Sequence, residues 1–329
     1  MKTRKLGANG FNVSEVGIGC WQLGGNWGVD ISKDAAFDIL NEAVNNGITF
    51  FDTADVYGDG KSESLIGEFL KTCDAADIRV ATKFGRAGNA YPDKYTKDVL
   101  KATVEGSLKR LGVDSLDLLQ LHCIPPQYLK DGAVFDWLRD LKSEGLIKHF
   151  GASVETVEEG LVCMEHDDLL SLQVIFNIFR QKLVTELLPQ AEAKGVGIIV
   201  RLPLASGLLT GKFDANTTFA EDDHRNFNRD GQAFNVGETF AGLPYNKGLE
   251  FVEDIKNNIL TSNLNMVQLA LRWILDHKAV STIIPGASST KQVVSNAAVS
   301  SLEPLSAEVH AALTELYKTK VHDAIRGGY

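Results

Sequence analysis

Apolar positions along this chain alternate between two spacings. Short runs rich in Val, Ile, Leu and Phe occupy residues 15–19, 49–53, 79–84, 116–122, 148–153, 172–177, 197–204 and 281–285. Runs of this length and composition between turn signals read as buried strands. The stretches between them carry helical spacing. Ala36, Phe37, Ile39, Leu40, Ala43 and Val44 share one helical face, which stops at Asn46-Gly47. Val99, Leu100, Val104, Leu108 and Leu111 do the same up to Gly112, and Leu183, Leu187, Leu188 and Ala191 up to Gly195. Residues 249–259, 266–277, 291–298 and 307–321 also have helical spacing. Ahead of the first unit, residues 2–6 and 11–15 flank Asn9-Gly10, a hairpin turn signal.

About eight strand–helix units in one chain predict a parallel (β/α)8 TIM barrel with an N-terminal β-hairpin and extra C-terminal helices. Residues 1–329 are expected to form one domain. A doubly wound sheet is the competing α/β fold, and it carries a Gly-x-Gly-x-x-Gly turn after its first strand. The nearest match, Gly17-Ile18-Gly19-Cys20-Trp21-Gln22, lacks the last glycine. Residues 213–247 break the rhythm. Long aperiodic loops in compact domains are usually functional, and this one, between the seventh and eighth strands, is expected over the barrel mouth.

Composition narrows the function. Among 329 residues, 44% are hydrophobic and the net charge is −10. That balance argues against nucleic acid or an anionic membrane as partner. No run of eighteen apolar residues predicts a membrane span, and no apolar segment follows the basic N-terminus to make a signal peptide. Cys20, Cys73, Cys123 and Cys163 form no Cys-x-x-Cys pair, so reduced thiols in the cytoplasm are expected.

Four polar residues fall at or just beyond the C-terminal ends of successive strands: Asp52, Tyr57, Lys83 and His122. In a parallel barrel those ends surround one mouth. A Lys ammonium beside a phenol lowers the phenol's pKa, so Lys83 is expected to bring Tyr57 toward neutral pH while Asp52 keeps Lys83 charged. His122 can orient a substrate oxygen. Such a group protonates an alkoxide as it forms. With no Ser or Cys nucleophile and no metal triad, the chemistry fits carbonyl reduction by a cofactor's hydride. Each residue alone has a structural explanation, as a turn cap, turn aromatic, surface lysine or core histidine. It is the four in order that point to chemistry.

The segment Phe51-Asp52-Thr53-Ala54-Asp55-Val56-Tyr57-Gly58, followed by Ser62-Glu63 and Ile66-Gly67, resembles the aldo-keto reductase signature. So do Ala81-Thr82-Lys83, Asp117-Leu118-Leu119-Gln120-Leu121-His122 and Ile284-Pro285-Gly286-Ala287, so the resemblance spans nearly the whole chain. It implies a barrel that binds NADP(H) without a Rossmann fold, with Tyr57 as acid/base and Asp52, Lys83 and His122 as its partners. It also implies that Ser153 and Gln173 hold the nicotinamide carboxamide. The family's Asn after that Ser is Val154 here, and Asn177 is a candidate substitute. Leu204, Ser206, Gly207, Leu208 and Lys212 match the family's pyrophosphate loop, where glycine lets backbone N–H groups approach phosphate. Arg201 stands where many relatives carry an aromatic against the nicotinamide. A guanidinium plane also stacks, and its charge would favour the neutral reduced ring over the cationic oxidised one. Gly286, Ser288, Lys291, Gln292 and Asn296 are expected at the adenosine end. Many relatives have a basic residue at Ser288, so NAD(H) stays open beside NADP(H).

Trp21 and Trp27 follow the first strand, and the 213–247 loop adds His224 and Arg225. Aromatics mixed with hydrogen-bonding groups suit a polar, sugar-like carbonyl substrate, and Arg225 could receive an anionic group. Two other readings remain. Potassium-channel beta subunits resemble this pattern and act as binding partners, but that role is expected to need an N-terminal extension or an apolar docking patch. A Schiff-base or metal-dependent barrel enzyme could use Lys83, but no His/Asp ligand set accompanies it. Oligomeric state is not legible.

Overall fold

Residues 1–25, 31–221, 223–228 and 242–329 are described by a computed structural model of the chain. The hairpin pairs β1 (Thr3–Lys5) with β2 (Asn12–Ser14). The remaining strands are β3 (Ile18–Gly19), β4 (Phe50–Asp52), β5 (Arg79–Phe84), β6 (Leu118–His122), β7 (Phe150–Ser153), β8 (Ser171–Ile175), β9 (Gly197–Arg201) and β10 (Val280–Ile283). They pair in parallel, in sequence order, as one eight-stranded sheet. The sheet closes on itself: Val16 bridges Ile283 and Gly19 bridges Gly286. Gly17 N–H donates to Ile283 O (2.8 Å), and Ile283 N–H donates to Glu15 O (3.0 Å). The structure is the predicted (β/α)8 barrel.

Successive side chains along a strand point to opposite faces, and the packing separates accordingly. Phe51, Val80, Leu119, Leu121, Ile198 and Val200 face outward and join the large core shared with the helices. Phe50, Ala81, Leu118 and Ile199 face inward and form a separate cluster with Leu6 and Val13 of the hairpin, Leu170 and Ile284. The hairpin therefore plugs one end of the barrel. Two residues further along β4, β5, β6 and β9, the inward positions hold Asp52, Lys83, Gln120 and Arg201. An apolar layer thus carries a polar layer on top of it, toward the C-terminal ends of the strands.

The helices start and stop where their sequence chemistry requires. Ser32 accepts from Ala35 N–H at the start of the helix Lys33–Asn45, and Thr96 accepts from Val99 N–H at the start of Lys97–Leu111. The latter ends at Gly112, whose φ of 68° lies in the left-handed region that favours glycine. After β10 come helices Thr290–Ala297 and Ala307–Leu316, the predicted C-terminal additions.

The predicted hairpin forms around Asn9-Gly10, its connection closed by Leu6 N–H donating to Phe11 O (2.9 Å). Gly7 takes the left-handed conformation (φ 68°), and a Cβ there would stand 2.5 Å from Leu170 O. The 213–247 stretch is not loop throughout. It includes the short helix His224–Phe227, and the helix Tyr245–Asn258 begins within it. The rest of that stretch lies partly outside the described residues.

Leu6 is fully buried in the inner plug. Leu6→Ala should lower unfolding free energy by about 2–5 kcal/mol in denaturant titrations. A loss below about 1 kcal/mol would mean the hairpin does not hold the floor of the barrel.

Candidate active site

The polar layer is a continuous hydrogen-bonded group. Lys83 Nζ donates to Asp52 Oδ1 (2.6 Å), to Thr53 O (2.7 Å) and to Tyr57 Oη (3.2 Å). Asp52 Oδ2 accepts from Gln173 Nε2 (2.7 Å) and Gln120 Nε2 (3.0 Å). Lys83, Gln120 and Gln173 are almost completely buried. The Tyr57 ring meets the His122 ring edge-on, 6.0 Å between centroids, and the Trp21 ring at 6.2 Å. The structure therefore brings Asp52, Tyr57, Lys83 and His122 to one place, from β4, the turn after it, β5 and β6.

Electrostatics correct one expectation. Burial pushes the Tyr57 phenol above its ordinary value, and Lys83 only offsets part of that rise. Burial alone would lower Lys83, yet Asp52 and Tyr57 together raise it, so it is held as ammonium. Tyr57 is thus a protonated phenol with a cation beside it, rather than a near-neutral acid. His122 is driven well below its ordinary value by burial and by the cations Lys83, Arg86 and Arg201. Its ring is neutral.

The loop that carries Tyr57 is fixed by close backbone packing. Gly24 lies against Tyr57 and Gly58 so tightly that a Cβ at Gly24 would stand 2.7 Å from Tyr57 C. Ser62 Oγ ties the loop to the first strand by donating to Cys20 O (2.8 Å). Gln120 was not singled out from sequence. Its signal is an amide inside the apolar run Leu118-Leu119-Gln120-Leu121.

Around the mouth, several residues expected to meet the cofactor also have partners within the protein. Both amide hydrogens of Gln173 are engaged, with Asp52 and with Gln120 Oε1 (3.2 Å), so that amide braces Asp52 instead of standing free. Ser153 Oγ lies 3.5 Å from Gln173 Oε1 and 3.6 Å from Cys123 Sγ. Asn177 is spent on the backbone, donating to Leu202 O (3.1 Å) and accepting from Phe179 N–H (3.0 Å). Arg201 donates to Val154 O (3.2 Å), and no carboxylate among the described residues pairs with it. Cys123, beside His122, has its thiol pushed up by burial, which makes it a poor nucleophile.

Arg225 is a correction. Its guanidinium makes a bidentate pair with Asp223, reaches Ser206 O (3.5 Å) and covers the Phe219 ring (4.3 Å). Its charge is matched from within the loop instead of being free for an anionic substrate. His224 sits in the same short helix, its side chain outside the description, and Trp27 lies outside the described residues altogether.

The rest of the mouth fits a long polar ligand such as a nicotinamide dinucleotide. His122 Nδ1, Arg201 Nε and Ser206 Oγ are buried without a protein partner among the described residues. Ala205, Ser206 and Gly207 run consecutively at positive φ (48°, 52° and 100°) between Leu204 and Leu208. Lys212 is exposed beyond this turn. Gly286 packs against the Gln22 amide, where a Cβ would stand 2.3 Å from Gln22 Nε2. At the start of helix Thr290–Ala297, Ser288 N–H and Oγ both donate to Gln292 Oε1 (2.7 and 3.2 Å). Lys291 is exposed and Asn296 is buried. Among the described residues no group of three or more His, Cys, Asp or Glu could hold a metal ion, and no helix is long and apolar enough to cross a membrane.

Comparison with known proteins agrees with this geometry. The model of the Aldo/keto reductase family matches residues 15–318. The NADH-specific methylglyoxal reductase of Escherichia coli is 28% identical over 91% of this chain and 93% of its own. The holo form of an aldo-keto reductase from Bacillus halodurans superposes with a TM-score of 0.76 at 28% identity, covering 100% of this chain and 98% of that one. The glycerol dehydrogenase of Gluconobacter oxydans gives 0.79 at 26% identity, covering 99% and 98%. The closed barrel, the buried Lys83–Asp52 pair under Tyr57 and the match along most of the chain lead to one conclusion: this chain belongs to the aldo/keto reductase family and is an NAD(P)H-dependent carbonyl reductase.

Proposed function

We propose that the chain reduces a small polar aldehyde or ketone to its alcohol, with Tyr57 as the proton donor. The observation that carries this reading is the Lys83 ammonium 3.2 Å from Tyr57 Oη, itself fixed by Asp52 and Thr53 O. The carbonyl oxygen sits against Tyr57 Oη and the neutral His122, which donates a hydrogen bond and orients it. When bound, the cofactor supplies hydride to the carbonyl carbon. The π electrons of the C=O bond move to oxygen, and Tyr57 passes its proton to the forming alkoxide. Lys83 stabilises the phenolate left behind until a solvent proton restores it. The carbonyl is reduced by two electrons and two hydrogens in all.

Tyr57 does not need a neutral pKa for this. A phenol raised by burial stays protonated across ordinary pH, and the alkoxide is basic enough to take its proton. The half-buried Trp21 ring beside Tyr57 gives the substrate an aromatic wall. Aromatic and hydrogen-bonding groups together support a polyhydroxylated or otherwise polar carbonyl. The E. coli and Gluconobacter relatives, by name, act on methylglyoxal and glycerol, both small polar molecules.

Ser153, Arg201, the 204–208 turn, Lys212 and the start of helix Thr290–Ala297 would hold the cofactor. Arg201 has no acidic partner among the described residues, which supports a preference for the neutral reduced ring. For the adenosine phosphate, Ser288 offers a hydroxyl already turned to Gln292, and Lys291 is the nearest cation. This supports NADP(H) through Lys291 with NAD(H) as competitor, the E. coli relative being NADH-specific by name.

Tyr57→Phe should lower kcat for aldehyde reduction by about 10²–10⁴ while leaving cofactor affinity nearly unchanged. Retention of full activity would end the proton-donor assignment. In fluorescence titrations, Lys291→Ala should weaken NADPH binding by about tenfold with little effect on NADH. Equal effects on both cofactors would mean that Lys291 does not read the 2′-phosphate.

A further inference from the structure

Beneath the Tyr57 loop the ionic groups do not balance. Asp52, Asp55 and Glu63 are all buried there, and among the described residues the cations bonded to them are Lys83 and the partly exposed Arg110. Lys83 is bonded to Asp52 at 2.6 Å. Arg110 Nε donates to Glu63 Oε2 (2.6 Å), and Thr82 Oγ1 donates to the other Glu63 oxygen. Glu63 is fully buried. Asp55, 9% exposed, is left with a single hydrogen bond, from Val56 N–H (2.9 Å). A buried carboxylate with neither a counter-ion nor a full set of donors binds a proton instead of staying charged.

We propose that Asp55 is a positioning residue: protonated, it lets the Tyr57 loop pack in its active geometry, and deprotonated it forces that loop outward. This rests on the reading of Tyr57 as proton donor. The connection is short. Tyr57 N–H donates to Ala54 O (3.1 Å), so Asp55 and Val56 are the two inner residues of the turn that delivers Tyr57. The turn is clamped from outside by Gly24 against Gly58 and by the Arg110 side chain against Gly60. Deprotonation adds a negative charge beside Glu63 within this clamp, and an outward shift of the turn relieves it by fuller hydration.

The charged and titratable groups around Asp55 all bear on this. Helix Lys61–Leu70 presents Glu63, which repels it, and helix Lys97–Leu111 presents Arg110, which Glu63 already occupies. β5 presents Lys83, committed to Asp52 and Tyr57, and segment 20–24 offers only the Cys20 thiol, held neutral by burial. The balance, with burial as the largest cause and Glu63 next, leaves the Asp55 carboxyl pushed up to about 7. Tyr57, raised by burial, and His122, held neutral, do not titrate in that range.

The sign of the effect follows. The folded protein keeps the Asp55 proton up to about pH 7, whereas the unfolded chain releases it near 3.8. Stability from this group is therefore full below 3.8 and is lost as pH rises toward 7. Reduction activity should fall over the upper part of the same rise, because that is where the folded state gives up its proton.

The test reads the carboxyl directly and then its consequence. Carboxyl ¹³C NMR of the cofactor-free protein should show one group titrating near neutral pH, absent in Asp55→Asn. With glyceraldehyde as probe, wild-type kcat should drop by about tenfold from one pH unit below that midpoint to one above it. Asp55→Asn should be flat across the range. Glu63→Gln should move the midpoint to lower pH, because Arg110 then serves Asp55. No carboxyl titrating near neutral pH, or an unchanged limb in Asp55→Asn, would overturn the proposal. If Asp55→Asn fails to fold, the wild-type titration and the Glu63→Gln shift decide the matter. The NMR titration needs neither cofactor nor substrate, so it can succeed even if Tyr57→Phe shows the proton-donor reading to be wrong.

Discussion

The ion pair between Lys83 and Asp52 sets the terms for everything around it. Both side chains are buried, in the middle of a barrel whose floor is Phe50, Ala81, Leu118 and Ile199. Removing two charges from water costs several kcal/mol per ion unless all their hydrogen-bonding capacity is met. Here Lys83 directs its three donors to Asp52, Thr53 O and Tyr57, and the second oxygen of Asp52 takes two amide donors, Gln120 and Gln173. The pair is therefore rigid. Its one contact that leaves the buried layer is with Tyr57, so the stabilising network ends on the proposed proton donor.

The same layer explains why the site lies at one end of the barrel. The hairpin fills the opposite end with Leu6 and Val13, so the inner cavity there is closed and apolar. Inward positions two residues further along each strand have no apolar neighbour above them and can carry polar groups. Outward positions on the same strands stay apolar because the helices cover them. Function and folding thus share the strands by parity: one face of each strand builds the core, and the other builds first the plug and then the site.

Among the described residues, charge at the mouth leaves the proposed hydride-transfer region with one guanidinium that no carboxylate matches. The Lys83–Asp52 pair is internally neutral, and Arg225, which could have added charge, is matched by Asp223. Arg201 lacks a carboxylate partner among the described residues, and its field reaches both Tyr57 and His122. The acidic excess lies on the other side of Tyr57, at Asp55 and Glu63. Tyr57 stands between the two, and its turn is held by glycines that admit no side chain, so small changes in charge below it are transmitted as position.

The sequence by itself determined the barrel, the hairpin and the order of the four residues at the strand ends. These depend on local periodicity and on strand ends, and both are written in consecutive residues. It did not determine the state of those residues. That Lys83 lowers Tyr57 less than burial raises it, that Gln173 braces Asp52, and that Asn177 donates to Leu202 O all depend on partners 25 to more than 100 positions away, as with the 121-residue separation of Gln173 and Asp52. Gln120 was visible as an amide in an apolar run, but its partner was not. Local pattern fixes which face a side chain takes; only the closed barrel decides what stands opposite it, and solvation, charge and protonation follow from that.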